Sequence, residues 1–282
     1  MNDKKTREYF FLSGLPRSGS TLLCNVLSQN PDFYVTPTSS IIGLMRNTKN
    51  MWSQMPSIKA SDHIDDKVSS IRIMRGMFEG YFSNTDKKYC VDKSRGWCGN
   101  IEMAEEILGH PVKLLVTVRD IREVLASFES LWRKNTGHRA IPQEMGNPDK
   151  FNTIEGRLEV FMDSKEVVGS AYNQMRDAVH KGYAKQMLFV DFESFTHSPE
   201  KVMNKIYDFL EIPRYKHDFN NVKQVVFEKD EYHGFDDLHT IRAVITPVLP
   251  KWPILIGEAA AKKYEHLNFW TKRELKLNTT LE

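Results

Sequence analysis

The stretch 9–27 constrains the fold most, because it joins an apolar run, a glycine-containing turn and a helical pattern. The turn GLPRSGST (14–21) lies directly between YFFL (9–12) and LLCNVL (22–27). A strand that passes into a helix through such a turn aims backbone N–H groups and the positive end of the helix dipole at one point. We therefore expect an anion to bind at this turn.

The turn departs from the phosphate-loop pattern G-x-x-x-x-G-K-[ST] at one position. Both glycines and Thr21 are present, but Ser20 replaces the lysine, and Arg17 is the only cation of the loop. In nucleoside-triphosphate hydrolases that lysine bridges the β- and γ-phosphates, and the following hydroxyl holds magnesium. The substitution disfavours metal-assisted ATP hydrolysis, and we find no metal-binding motif in the sequence.

Short apolar runs alternate with helical patterns along the rest of the chain. Strands are predicted at 8–13, 33–35, 88–92, 113–118 and 187–192, and helices at 20–30, 64–82, 99–108, 120–133, 152–182, 199–210 and about 257–266. The stretch 41–62 has no clean period, and 135–150 is predicted to be a loop that covers a site.

Each predicted strand is a continuous apolar run rather than an alternating one, which is typical of a parallel sheet covered on both faces. We therefore predict an α/β protein with a P-loop-like three-layer fold, in which helices flank a central, mostly parallel sheet. The chain has no internal repeat and no Gly/Ser linker, so a single domain over 1–282 is expected.

The charge balance limits the classes of partner. The chain has 39 Lys and Arg against 37 Asp and Glu, so its formal net charge is +2. This balance argues against a general binder of nucleic acids or membrane surfaces, and an anionic ligand must be held by local clusters. With no signal peptide or apolar span evident, and with Cys24, Cys90 and Cys98 expected to be buried thiols, we predict a cytoplasmic protein.

A second anion site is indicated by KLLVTVRDIREVLASF (113–128). Arg119 follows a buried strand, at the edge where ligands of open α/β sheets collect. Ser127 comes two helical turns later on the same side, and a guanidinium beside a hydroxyl suits a phosphate monoester. The alternative is that Arg119 pairs with a neighbouring carboxylate such as Asp120 or Glu123.

Three motifs together resemble the sulfotransferases that use 3′-phosphoadenosine 5′-phosphosulfate. They are G-x-P-R-S-G-S-T-L-L from 14, V-R-D-x-R-x-x-x-A-S from 118, and F-V-x-F-E-x-F-x-x-x-P-E-x-x-x-x-x-I-x-x-F-L at 189–210. The resemblance covers about 8–212 and is nearer to the tyrosylprotein and bacterial branches than to the cytosolic hormone-conjugating branch. It implies a sulfotransferase that works without a metal.

The resemblance also implies roles for single residues. The loop Arg17-Ser18-Gly19-Ser20-Thr21 would hold the 5′-phosphosulfate, with Arg17 also near the transferring group. Arg119 and Ser127 would hold the 3′-phosphate. Lys93, in VDKSRGW (91–97), would stabilise the leaving phosphate. Two further contacts are implied, from Phe192 to the adenine and from Arg242 to the 3′-phosphate.

The general base is where the chain departs from its relatives. The tyrosylprotein branch has a glutamate at the position of Thr38, and the cytosolic branch has a histidine at the position of Arg95. We assign the base to His239, whose reference pKa of ~6.5 suits proton transfer near neutral pH. The alternatives are Asp92 and the acidic cluster Glu228-Asp230-Glu231.

The acceptor is the least defined part of the prediction. The stretches 36–62 and 135–150 would line its pocket, and they suit a sugar, a small alcohol or an amphipathic molecule. We expect a small-molecule or carbohydrate acceptor with a hydroxyl or an amine, and leave the oligomeric state open. The alternatives are a P-loop kinase or nucleotide phosphotransferase, and a catalytically silent nucleotide-binding module of the same fold.

Overall fold

The computed structural model describes residues 7–60, 64–136, 141–230, 238–272, 275, 279 and 280. Within them, five strands form one parallel sheet with the order β2-β3-β1-β4-β5. The strands are β1 (Glu8–Gly14), β2 (Phe33–Thr38), β3 (Tyr89–Lys93), β4 (Leu114–Val118) and β5 (Met187–Asp191). The predicted fold class, an α/β protein with a parallel sheet, is confirmed.

The helices cover both faces of this sheet. In chain order they are α1 (Ser20–Leu27), α2 (Ile41–Gln54), α3 (Pro56–Lys59), α4 (Ile64–Tyr81), α5 (Ile101–Leu108), α6 (Ile121–Asn135), α7 (Pro142–Gly146), α8 (Ile154–Met162), α9 (Val167–His180), α10 (Phe192–His197), α11 (Pro199–Leu210), α12 (Trp252–Leu255) and α13 (Glu258–Lys262). A 3-10 helix, Arg95–Asn100, precedes α5.

The sequence analysis missed α2, α3 and α7, the last of which lies in the predicted loop 135–150, and it predicted one long helix where two form. The stretch 41–62 contains α2 and α3, whose apolar positions are too sparse for a clear period. The predicted helix 152–182 is two helices, because Asp163 turns extended after α8 and its carboxylate accepts from the backbone N–H of Lys165 at 2.9 Å. Gly169 permits the close return of α9, since a Cβ there would lie 2.2 Å from the carbonyl oxygen of Met162.

The side chains of β1 show how both faces of the sheet are buried. Phe11 lies in a core formed with α4, α5, α6, α8 and α9, whereas Phe10 and Leu12 lie in a second core formed with α1 and α11. All five residues of β4 are buried, as expected for an inner strand of such a sheet. The three cysteines are buried and free.

The described parts of the late segment, 219–230 and 238–245, fold back over α1 without forming a strand of the sheet. The N–H of Val222 donates to the carbonyl of Ala243 at 2.7 Å, and the N–H of Val226 donates to Asn25 Oδ1 at 2.9 Å. These bonds bring the late segment to the carboxyl edge of the sheet. Of the predicted helix at 257–266, only α13 and a 3-10 turn, Glu265–Leu267, form. No helix in the described part of the chain is long and apolar enough to cross a bilayer.

Candidate functional site

A cavity of about 570 Å³ opens at the carboxyl edge of the sheet. This size is within the range of small-molecule sites. Ten of the eleven residues singled out from the sequence as site residues line it, and these are Arg17, Gly19, Ser20, Thr21, Lys93, Arg119, Ser127, Phe192, His239 and Arg242. The register places β1, β3 and β4 side by side here, with Leu12 opposite Lys93 and Gly14 opposite Thr117.

The 14–21 turn needs its two glycines for different reasons. A Cβ on Gly14 would lie 2.1 Å from the carbonyl oxygen of Thr117, so only glycine lets β1 approach β4 there. Gly19 has a φ of 84° at the start of α1, and a Cβ would lie 2.5 Å from the ring of Phe192. Arg17 itself has a φ of 60°, which turns the loop back toward the cavity.

Ser18 is the site residue that does not line the cavity. Its side chain is buried, and its hydroxyl bonds to the carbonyl of Leu15 and to the hydroxyl of Thr117, the latter at 2.8 Å. The hydroxyl therefore fastens the loop to β4. A ligand can use only the backbone of Ser18 while these bonds persist.

The guanidinium of Arg17 joins three elements at the cavity wall. Its Nε donates to the Ser127 hydroxyl on α6 at 3.1 Å, and its Nη1 donates to the carbonyl oxygen of Leu238 in the late segment. Burial lowers the pKa of Arg17, and the nearby charge of Arg119 lowers it further. Both effects favour binding of an anion at this point.

Arg119 also lines the cavity, where it lies between carboxylates. It donates to Glu123 at 3.0 Å and to Glu193 at 3.1 Å, and its guanidinium lies 4.5 Å from the centroid of the Phe192 ring. The carboxylate pairing that the sequence left open is thus present. Asp120 does not take part, because it caps α6 by accepting from the N–H of Arg122 at 2.8 Å.

The two carboxylates on Arg119 differ in their surroundings. Glu123 is buried and also accepts from the backbone N–H groups of Lys251 and Trp252, at 2.6 and 2.9 Å. Glu193 is more exposed, and burial together with the charge of Asp191 raises its pKa to about 7, against the opposing effect of Arg119. Glu193 can therefore take up a proton near neutral pH.

Lys93 ends β3 with its side chain buried. Its ammonium contacts Glu228 Oε1 at 2.6 Å and lies 3.5 Å from the Thr21 hydroxyl of the loop. The same Glu228 oxygen accepts from the N–H and the hydroxyl of Thr38, at 3.1 and 2.8 Å. Although burial raises the pKa of Glu228, the charge of Lys93 and these bonds outweigh it and lower the value to about 2.

His239 lies between two carboxylates of the late segment. Its Nδ1 is 2.6 Å from Asp230 Oδ1, and its Nε2 is 3.4 Å from Glu228 Oε2. Burial lowers the pKa of His239, while the bond to Asp230 and the charge of Glu228 oppose that shift. A proton on Nδ1 donated to Asp230 would leave Nε2 as the basic nitrogen.

The other residues considered as a base are less well placed. Asp92 is fully buried, accepts from Trp97 Nε1 at 2.7 Å and does not line the cavity. Burial raises its pKa to about 6. Glu231 lies outside the described residues, as does the 137–140 part of the loop predicted to cover the site.

Sequence reasoning missed two contacts of the arginines that line the cavity. It did not place Glu193 beside Arg119, and it did not foresee that the Leu238 carbonyl would hold Arg17. Glu193 follows Phe192 directly in the F-V-x-F-E motif, so its place after a strand was a usable signal. Nothing in the sequence indicated the Leu238 contact, because a backbone carbonyl has no residue-specific pattern.

Comparison with known proteins identifies the family of this chain. A model of the sulfotransferase family matches residues 10–217. The sulfotransferase domain of the Synechococcus PCC 7002 olefin synthase has a TM-score of 0.52 at 18% identity, over 94% of this chain and 95% of that chain. Mouse sulfotransferase SULT7A1, solved in complex with PAP, has a TM-score of 0.52 at 16% identity, over 98% and 89%. At these identities the likeness shows a common fold. No curated protein matches the chain.

Proposed function

This chain belongs to the sulfotransferase family, and we propose that it transfers a sulfuryl group from 3′-phosphoadenosine 5′-phosphosulfate to a hydroxyl or amine of a small acceptor. One observation carries the choice of donor: a single cavity holds two arginines, Arg17 and Arg119, at the ends of neighbouring strands, with the ring of Phe192 against Arg119. A nucleotide with phosphates on both its 5′ and 3′ oxygens suits a cavity that offers two arginines and an aromatic ring. The PAP bound to the mouse sulfotransferase of similar fold supports a donor of this class.

The loop is assigned to the 5′ end of the donor. The N-terminus of α1 and the backbone N–H groups of 17–21 supply donors for the phosphosulfate, and the Thr21 hydroxyl faces the cavity. Arg119 and Ser127 are assigned to the 3′-phosphate, with the exposed Arg242 at the cavity rim as a further cation. A phosphate at Arg119 would compete with Glu193, which the raised pKa of that carboxyl makes possible.

Lys93 is assigned to the leaving group. In the transfer, the acceptor oxygen forms a bond to sulfur while the bond from sulfur to the bridging oxygen breaks, and the bridging oxygen keeps the electron pair. The ammonium of Lys93, 3.5 Å from the Thr21 hydroxyl, is the cation beside the loop that can offset this charge. To do so it must turn from Glu228 toward the donor.

His239 is assigned the role of general base. Its Nε2 takes the proton of the acceptor hydroxyl, and Asp230 holds Nδ1 so that the imidazolium formed is stabilised. When Lys93 turns to the donor, the charge of Glu228 remains 3.4 Å from Nε2. Glu228 thus couples Lys93 to His239. When Lys93 turns toward the leaving oxygen, the carboxylate of Glu228 loses that cation and stays beside His239, and its negative charge raises the basicity of the imidazole.

Calorimetric titration with adenosine 3′,5′-bisphosphate and, separately, with magnesium–ATP tests the donor assignment. We expect one-site binding of the bisphosphate in the presence of EDTA, and much weaker binding of magnesium–ATP. Tighter binding of magnesium–ATP would overturn the proposal in favour of a kinase. If neither nucleotide bound, the proposed donor would be wrong.

A further inference from the structure

Arg95 is a cavity cation that the proposed transfer does not use. It begins the 3-10 helix Arg95–Asn100, two residues after Lys93. The hydroxyl of Ser13 on β1 donates to the Arg95 carbonyl at 2.9 Å, and the Ser94 hydroxyl caps the helix by accepting from the N–H of Gly96. The backbone is therefore fixed at the edge of the sheet while the side chain faces the cavity.

The guanidinium of Arg95 differs from those of the donor side. Arg17 and Arg119 each bond to protein oxygens, whereas the Arg95 side chain has no hydrogen bond or ion pair to any residue that the structure describes. Burial lowers its pKa, and the charge of Glu228 opposes this shift. Arg95 is nevertheless an exposed residue, so its guanidinium faces the cavity, has no acceptor in the described part of the chain and can bind an anionic ligand group.

The strand order places Arg95 on the acceptor side. In the order β2-β3-β1-β4-β5, the 17–21 loop, Arg119 and Phe192 follow β1, β4 and β5, and Lys93, which is assigned to the leaving oxygen, ends β3. Arg95 follows β3, on the opposite side of β1. A donor that extends from Phe192 to the 17–21 loop ends with its sulfuryl group toward β3, so Arg95 lies beyond the transferred group.

Part of the cavity wall is apolar. Helix α9 packs closely against the 3-10 helix, because a Cβ on Gly99 would lie within 3.2 Å of the Gln174 side chain. Val167, at the start of α9, lines the cavity. Phe128 and Phe161 also line it, with ring centroids 5.1 Å apart. These side chains suit the carbon body of an acceptor rather than a phosphate or sulfate.

From this arrangement we propose that Arg95 binds a carboxylate of the acceptor, which makes the acceptor a hydroxy acid with an apolar body. A single guanidinium pairs with a carboxylate through two parallel hydrogen bonds, and its one positive charge matches the single negative charge. This proposal rests on the proposed function, because it takes the donor side of the cavity as assigned.

Two matched pairs of probes test it on the protein saturated with adenosine 3′,5′-bisphosphate. The pairs are 4-hydroxyphenylacetate with its amide and 6-hydroxyhexanoate with its amide, so that one rigid and one flexible body are covered. Calorimetry should show that the carboxylate of at least one pair binds about tenfold more tightly than its amide. Arg95→Gln should remove that preference, and Arg95→Lys should restore it in part, because it keeps the charge and loses the planar fork.

Arg242→Gln is the matched control, since Arg242 also lines the cavity but is assigned to the donor. It should weaken the bisphosphate and keep the carboxylate preference, and Arg95→Gln should do the reverse. If Arg95→Gln weakened the bisphosphate as strongly, Arg95 would be a donor residue. If the wild type bound the bisphosphate but showed no preference or no probe binding, this inference would be wrong and the proposed function would stand. Failure of the wild type to bind the bisphosphate would instead remove the proposed function.

Discussion

The two ends of the cavity, at Arg119 and at Lys93, both pair a cation with a carboxylate, but the pKa values of the two carboxylates are shifted in opposite directions. At one end Arg119 contacts Glu193 at 3.1 Å, and burial with the charge of Asp191 raises the pKa of Glu193 to about 7. At the other end Lys93 contacts Glu228 at 2.6 Å, and the pKa of Glu228 is lowered to about 2 because Lys93 outweighs the effect of burial. Glu193 can loosen its contact with Arg119 by taking up a proton near neutral pH, although Glu123 still contacts that guanidinium, whereas Glu228 stays charged.

Because of this difference, one end of the cavity suits nucleotide binding and the other suits the chemical step. The Arg119 end can exchange a weakly held carboxylate for a phosphate, which suits reversible binding of a nucleotide. The Lys93 end keeps a firmly charged carboxylate next to His239, at 3.4 Å from Nε2, which suits control of the reacting groups. The following predictions test whether binding and chemistry separate in this way.

Lys93→Met should give the largest effect. Turnover should fall by about 10²- to 10³-fold, because the cation assigned to the leaving oxygen is removed. Affinity for adenosine 3′,5′-bisphosphate should change much less. Steady-state kinetics and calorimetry on the same preparation separate the two, with Lys88→Met as the control, since Lys88 is exposed. Unchanged turnover would remove Lys93 from the catalytic group.

His239→Asn should lower turnover by about 10²-fold through loss of the base. In the wild type, kcat/KM should rise with pH as His239 loses its proton, and burial places that rise below the usual pKa of histidine. Asp230→Asn should move the rise to still lower pH, because the neutral amide no longer stabilises the imidazolium. A pH–rate profile that is the same in Asp230→Asn as in the wild type would contradict the assignment of the base.

Arg119→Ala should act on binding rather than on chemistry. It should weaken adenosine 3′,5′-bisphosphate by about ten- to a hundredfold, since a charge-assisted contact to the 3′-phosphate is lost. Adenosine 5′-phosphate should be affected much less. Arg122→Ala is the control, because Arg122 pairs with Asp120 at 2.6 Å and does not line the cavity. Equal losses for both nucleotides would show that Arg119 does not recognise the 3′ end.

Glu193→Gln should give the smallest effect, on the pH dependence of binding. A phosphate at Arg119 draws that cation away from Glu193 and adds negative charge, so the pKa of Glu193 rises above about 7 on binding. A proton is then taken up, and affinity for the bisphosphate falls as the pH rises through 7 and above. Calorimetry in buffers of different ionisation enthalpy should detect this uptake in the wild type and lose it in Glu193→Gln. Equal uptake in the variant would assign the proton to another group.

The Arg119 end was predictable because its signals are local. A continuous apolar strand followed by a cation identified Arg119, and a strand, a glycine turn and a helix identified the 17–21 loop. Both depend on residues adjacent in the chain, so spacing alone places them at the carboxyl edge of a parallel sheet. The same reasoning gave the strand positions to within a few residues.

The Lys93 end was only partly predictable, because it is assembled from distant segments. Glu228 and His239 were named as candidates from residue type, but the contacts of Glu228 with Lys93, Thr38 and His239 depend on how the late segment, described at 219–230 and 238–245, folds back over α1. That segment has no helical or strand period, and its hydrogen bonds to Asn25 involve backbone groups. Apolar periodicity likewise missed α2, because only Ile41, Ile42 and Met45 of that helix are buried.

A crystal structure with adenosine 3′,5′-bisphosphate tests the central claim most directly. The account predicts the 5′-phosphate at the backbone of 17–21, the 3′-phosphate on Arg119, the adenine near Phe192, and Lys93 turned from Glu228 toward the 5′-phosphate. A nucleotide bound with its 3′-phosphate at the loop, or bound away from Arg119, would contradict the assignment of the two ends.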